Sequence, residues 1–173
     1  MLGLPNGEVF LVPWDERWDE EYLREKENIK RKVGGYAIAY HHIGSTAVKH
    51  LSAKPIIDIA VELNDFQDGY KCIEDLEEIG YKHRIIDELP ERHYFSKGEP
   101  RTHQIHMYEK RNEYLKRQLA FRDHLRNNEG VRKEYQKMKE TLSKTYNAAK
   151  LAYADAKTDF VNSVLSKLGF KIT

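Results

Sequence analysis

The 173-residue chain has little of several things, and each absence excludes something. It carries a single cysteine, Cys72, and neither an HExxH stretch nor a paired-cysteine pattern. One thiol cannot close an internal disulfide, and no structural zinc site is to be expected, so a reducing cytoplasm is the natural setting. No apolar run approaches 18 residues, which argues against a membrane-spanning helix. Met1 to Val12 lacks the basic start and apolar stretch of a signal peptide. Repeats, low-complexity tracts and flexible linkers are also missing. Net charge is nearly so, at +1, which speaks against a general nucleic-acid binder.

What is present is charge of both signs, 33% of all residues, distributed unevenly. Residues 1–109 hold 14 Lys and Arg against 21 Asp and Glu, a balance of −7, whereas residues 110–173 hold 15 against 7, a balance of +8. Two readings follow. Either oppositely charged surfaces dock on each other, or basic residues of the second part face a cleft in the first and neutralise a polyanionic ligand there. The length suits one compact unit, with residues 1–110 as a sheet domain and 111–173 as a helical portion packed on it.

Periodicity supplies the elements. From Asp15, a plausible N-cap, Trp14, Trp18, Tyr22, Ile29 and Val33 recur at mostly helical spacing until Gly34-Gly35. Tyr36 to Ile43 reads as a strand stopped by Gly44-Ser45, and Pro55 to Leu63 as a second strand. Phe66, Tyr70, Ile73, Leu76 and Ile79 form the stripe of one further helix closed by Gly80. Glu91 to Ser96 and Arg101 to Glu109 make a hairpin around Lys97-Gly98-Glu99-Pro100. Three amphipathic helical segments follow, Tyr114 to Leu125, Val131 to Leu142 and Leu151 to Leu168, the first two separated near Asn127-Asn128 and Gly130. The tryptophans and Cys72 read as packing residues.

One stretch calls for chemistry. Gly44-Ser45 can offer a hydroxyl and backbone N–H groups to a phosphate, and Lys54 follows as a phosphate-compatible or merely superficial cation. Asp58 interrupts an Ile- and Val-rich run, where a carboxylate is costly to bury unless a partner stabilises it. Asp58, Ala60 and Glu62 share a strand face, but Asp58 and Glu62 lie ~13 Å apart along it. Paired catalytic magnesium ions sit only about 3.5–4 Å apart. Glu62 is therefore a weaker metal ligand than Asp58, with a solvated strand end as its alternative. On the last strand Gln104, His106 and Tyr108 share one face, which makes His106 a candidate metal ligand or general base, with His42 joining it if their strands are neighbours.

The strings His42-Ile43-Gly44-Ser45-Thr46-Ala47-Val48, Lys54-Pro55-Ile56-Ile57-Asp58-Ile59 and Thr102-His103-Gln104-Ile105-His106 resemble the signature of the GrpB family. So do Phe121-Arg122-Asp123 with Leu125-Arg126, and Tyr153 through Ala156-Lys157 to Phe160; the likeness runs from Val12 to Leu165. That family is placed with the nucleotidyltransferase superfamily. The resemblance implies an α+β fold, a nucleotidyltransferase-like mixed sheet flanked by helices with a helical C-terminal portion closing one side of the cleft. It further implies phosphate contacts at the Gly44-Ser45 turn and a first metal-binding carboxylate at Asp58. The chain departs from the superfamily pattern by having Ala60 where a second carboxylate is expected and His106 on the strand expected to supply a third.

The expectation is a metal-dependent nucleotidyltransferase-like protein that binds a nucleotide or phosphorylated small molecule. Asp58 and His106 would hold a divalent metal, Mg²⁺ or Mn²⁺ before Zn²⁺, with Glu62 and His42 as secondary ligands. Gly44, Ser45, Lys54, Arg122 and Lys157 would contact phosphate. The alternative is a noncatalytic nucleotide-binding or regulatory module that has lost transfer chemistry, for which Ala60 is the chief support. Nothing in the residues names an acceptor or a protein partner.

Overall fold

The computed structural model describes residues 1–86, 91–145 and 150–172, without the side chains of 145 and 150–153. The side chains of Leu151 and Tyr153, named above, thus lie outside the described residues. Helix α1 (Arg17–Val33) buries Trp18, Ile29 and Val33. Its start differs slightly from expectation: Glu16 is the cap residue, while Asp15 accepts from the Arg17 N–H at 3.0 Å and so stabilises the first turn from one position further out.

Among the described residues five strands follow: β1 (Ala37–Ile43), β2 (Ile57–Leu63), β3 (Tyr81–Arg84), β4 (Arg92–Lys97) and β5 (His103–Glu109), arranged β1-β2-β5-β4-β3. Only β2 and β5 pair in parallel, and this mixed sheet positions the site. β2 alternates as a strand must. Ile57, Ile59, Val61 and Leu63 are wholly buried and pack under α1 with Ile105, Met107 and Phe95. The intervening Asp58, Ala60 and Glu62 face the other way, side by side with Gln104, His106 and Tyr108 of β5. There Ala60 packs with Ile43, Tyr108 and Leu115.

The single helix expected over Phe66 to Ile79 is two short ones, α2 (Asp68–Lys71) and α3 (Ile73–Glu77), joined at Cys72. Cys72 is fully buried and burial pushes its thiol up to about 11, in keeping with a packing role. β3 was not expected, because Tyr-Lys-His-Arg offers too few apolar residues to stand out. Tyr81 nevertheless anchors it, donating to the buried Glu25 of α1 at 2.7 Å.

The C-terminal portion comprises α4 (Glu113–Asn127), α5 (Glu129–Thr145) and α6 (Lys150–Lys167). Asn112 caps α4 by accepting from the Leu115 N–H at 3.0 Å. The break falls at Asn128, so Gly130 lies inside α5 and not between helices. Val48 and Leu51 of the β1–β2 connection pack with Leu125 and Tyr135, joining the helices to the connection between the first two strands.

Gly69 illustrates how tightly α2 is set. A Cβ there would lie 2.1 Å from Cδ2 of His93, whose ring stacks on Phe66 and bonds the Phe66 carbonyl at 2.8 Å. Substitution Gly69→Ala should therefore lower unfolding free energy by about 1–3 kcal/mol, the usual cost of overpacking. Urea denaturation checks this, and an unchanged midpoint would show that α2 yields freely.

Candidate functional site

The β1–β2 connection forms the site. Gly44 follows the last residue of β1 with φ 74° and ψ −178°, a conformation that suits glycine alone, and Ser45–Ala47 then make one 3₁₀ turn. A Cβ on Gly44 would sit 2.9 Å from Oδ2 of Asp58, so bare glycine is required twice, for its dihedrals and for the close approach of the carboxylate.

Side chains from α4 and α5 grip this connection. Arg122 donates to the His42 carbonyl at 3.0 Å, its Nε and second terminal nitrogen pairing with Asp123 at 3.0 and 2.8 Å, and Arg126 donates to the Ala47 carbonyl at 2.9 Å, one on each side of Gly44-Ser45. Gln136 accepts from the Ser52 N–H at 3.1 Å. Lys139, 2% exposed, places Nζ 2.7 Å from Ser45 Oγ and 2.8 Å from the Ser52 carbonyl. Burial first, then the charges of Lys157 and Lys54, hold the Lys139 pKa well below the ordinary lysine value.

Between the turn and the helices lies a cavity of about 380 Å³. Gly44, Ser45, Lys54, Arg122 and Lys157, the five residues expected to contact phosphate, all line it. Phe121, Tyr135, Val161 and Leu165 supply apolar wall. Arg117 is a further lining cation, and its buried Nε finds no acceptor among the described residues. The arrangement offers an anion several positive groups and a hydroxyl, with room for an apolar or aromatic moiety beside them.

Asp58 and His106 meet behind Gly44 but are not part of that lining. His106 Nε2 is 3.1 Å from Asp58 Oδ1, while Nδ1 is 3.0 Å from a terminal nitrogen of Arg92. A guanidinium only donates, so Nδ1 must accept and the neutral ring carries its proton on Nε2, donating to Asp58. Metal ligation by Nε2 requires the proton to leave, or to move to Nδ1, where it would face Arg92. With Ala60 beside them, this donor set fits one ion after a tautomer change and does not fit two.

The secondary metal candidates are placed elsewhere. His42 points to the α1 side of the sheet, stacked on Tyr22, with Nε2 3.0 Å from Thr46 Oγ1 and Nδ1 3.6 Å from Asp19. It does not join His106, because strand alternation puts the two rings on opposite faces. Glu62 shares the Asp58 face but pairs with His41 at 2.6 Å, two residues beyond Ala60. Glu21, Glu25 and His103, under α1, also bring three ligand atoms within 4.8 Å of one another. Glu25, however, already accepts from Lys97 at 2.9 Å and from Tyr81, so its charge is answered by an ammonium.

The family model described as "GrpB protein" matches residues 8–167. "Glutamate-rich protein GrpB" of Alkalihalophilus pseudofirmus is 33% identical over 174 residues, covering 97% of this chain and all of that protein. "UPF0157 protein YqkA" of Bacillus subtilis is 34% identical over 160 residues, 92% of this chain, which spans only 47% of the relative's length. Among solved structures, GrpB from Enterococcus faecalis is similar with TM-score 0.77 and 28% identity, over 90% of this chain and 99% of that one. Cid1 in complex with its short product ApU is similar in fold alone, with TM-score 0.55 and 10% identity over 77% of this chain and 43% of that one. The nucleotidyltransferase-like α+β fold expected from the motifs is thus the fold observed.

Burial of His42 has a consequence in acid. Desolvation lowers its pKa to about 3, so between that value and its ordinary 6.5 the unfolded chain binds a proton the folded one refuses. The stabilisation is complete above pH 6.5 and is lost as pH falls, at up to ~1.4 kcal/mol per pH unit for one proton. His103, lowered to about 4 by burial, adds to the slope in the same window. Urea unfolding at pH 7, 6 and 5 should show His42→Gln losing stability less steeply than the wild type; parallel pH profiles would mean that His42 titrates normally.

Proposed function

Because the chain belongs to the GrpB family and has the nucleotidyltransferase-like fold, we propose that it binds a nucleotide or related phosphorylated small molecule in the cavity above Gly44-Ser45 and transfers a nucleotidyl group. The observation that carries this reading is the convergence of Gly44, Ser45, Lys54, Arg122 and Lys157 on one cavity with an apolar wall. Lys54 and Lys157 would answer the phosphate charge, Ser45 would hydrogen-bond it, and Arg122 would hold the turn through the His42 carbonyl while facing the ligand. Phe121, half-buried on the cavity wall, offers aromatic surface to a base or another flat group.

A divalent ion, Mg²⁺ or Mn²⁺ before Zn²⁺, would be held by Asp58 and His106 and would supply charge neutralisation at the transferring phosphorus. The protein's own contribution is to present the Asp58 carboxylate against Gly44, with His106 orienting it and Arg92 orienting His106. The second reading, a nucleotide-binding or regulatory module without transfer chemistry, is favoured by Ala60, buried where the superfamily pattern expects a carboxylate. Pyrophosphate release from a nucleoside triphosphate separates the two: turnover favours the transferase, and binding without release favours the module.

Two measurements bear on this. Thermal-shift titration with ATP, GTP, CTP and UTP should raise the melting temperature by several degrees at about 100 times Kd, equivalent to roughly 2.7 kcal/mol. Lys157→Glu should abolish the rise, and Asp58→Ala its metal-dependent part; a flat wild-type response to every nucleotide sinks the binding reading. Separately, calorimetry with Mn²⁺ alone should show about tenfold tighter binding by Arg92→Ala, since the substitution removes both a nearby positive charge and the group that pins the His106 tautomer. Unchanged or weaker Mn²⁺ binding in the variant would remove Asp58 and His106 from the metal site.

A further inference from the structure

We propose that Ser45 is a nucleophile served by Lys139 as general base, and that it takes the phosphoryl or nucleotidyl group of a phosphoanhydride bound in the cationic cavity. The proposal rests on the reading of that cavity as a phosphate-ligand site and adds a covalent step to it.

Lys139 is an unusual lysine. A buried ammonium is normally paired with a carboxylate, because leaving it unpaired in a dry interior is costly. Among the described residues Lys139 has no such partner: its polar contacts there are Ser45 Oγ at 2.7 Å and the Ser52 carbonyl at 2.8 Å. The charged groups that influence it, Lys54 and Lys157, are both positive, and with burial they favour the neutral amine. The Tyr135 ring, its centroid 5.1 Å from Nζ, attracts the cation weakly.

A neutral amine matches the geometry. An ammonium donates at both contacts; as the neutral amine, Lys139 would donate an N–H to the Ser52 carbonyl and its lone pair would accept from the Ser45 hydroxyl across the same 2.7 Å. Ser45 itself is half-buried and lines the cavity, so Oγ has its base on the dry side and open space on the other. A serine hydroxyl is a weak nucleophile until an adjacent base takes its proton, and a desolvated lysine is suited to that role.

The step balances as follows. Ser45 Oγ attacks phosphorus, the Oγ–P bond forms, the bond from phosphorus to the bridging anhydride oxygen breaks, and the serine proton moves to Lys139 Nζ. Lys54 and Lys157 offset the charge on the phosphoryl oxygens and on the departing phosphate or pyrophosphate. Water or an acceptor hydroxyl then attacks the phosphorus of the serine ester, the Oγ–P bond breaks, Lys139 Nζ returns its proton to Oγ, and the proton of the attacking hydroxyl passes to solvent.

A fluorophosphonate probe tests this without knowledge of the substrate, since it transfers a phosphonyl group to an activated hydroxyl with loss of fluoride. Intact-mass and peptide analysis of the full chain should show one adduct, located on Ser45. Ser45→Ala should remain unlabelled, and Lys139→Met should label at least 100-fold more slowly while melting no lower than the wild type. A folded wild type without a Ser45 adduct, or Lys139→Met labelling at the wild-type rate, overturns the proposal. Should Lys139→Met fail to fold, the wild-type pH profile decides: a labelling rate that levels off below pH 9 supports the dyad, and one that climbs in proportion to hydroxide through pH 10 overturns it. ATP addresses the underlying reading independently. Protection by ATP supports the phosphate site, labelling that ATP leaves untouched sinks that site while the dyad stands, and an ATP thermal shift without labelling does the reverse.

Discussion

A lysine amine buried against a serine hydroxyl and a backbone carbonyl is the contact on which the cavity depends. Lys139 joins α5 to both ends of the segment from Ser45 to Ser52. Arg122 and Arg126 of α4 hold the carbonyls of His42 and Ala47 on the same connection. Arg122 and Arg126 are charged donors meeting carbonyls, and Lys139 is an amine meeting a hydroxyl and a carbonyl, so the helices are fixed to the turn by directional bonds as well as by the Val48, Leu51, Leu125 and Tyr135 packing beneath. The excess of basic residues after position 110 thereby acquires a physical role. Several of them are drawn inward, toward the turn and the cavity, and do not serve simply as a solvated surface.

The two faces of the sheet divide the work. The α1 face is a dry core in which β2 presents only aliphatic side chains, and its charged members, such as Glu25 with Lys97, are paired. The opposite face carries Asp58, His106 and Arg92 in sequence, each hydrogen-bonded to the next, with Ala60 leaving space filled by Leu115 and Ile43. That chain of contacts explains how a carboxylate is tolerated inside an Ile-rich strand: Asp58 keeps partial access to solvent and gains a donor.

Much of this was legible from residues alone. Gly44-Ser45, Asp58 and the alternation around them are local features, and local periodicity is enough to place them. The convergence of Arg122 and Lys157 on the turn followed from motif resemblance. Lys139 was not legible: it lies in an ordinary amphipathic helix, and its partner is 94 residues away. Arg92 was missed for the same reason, since its effect on His106 appears only once β4 and β5 are in register. The pairing of His42 with His106 failed on parity. Two strand residues share a face only when the register is known, and here Ile43, not His42, stands opposite Asp58.

The grip of the late helices on an early turn also orders events in time. β1, the turn and β2 lie within 27 consecutive residues, whereas the groups that complete the cavity come from α4, α5 and α6, as far along as Leu165. A chain emerging from the ribosome can pair its first two strands long before any pocket exists. Ligand binding at the proposed site would therefore report completion of the last helix, and a ligand present during synthesis would stabilise finished molecules while leaving partial ones unaided.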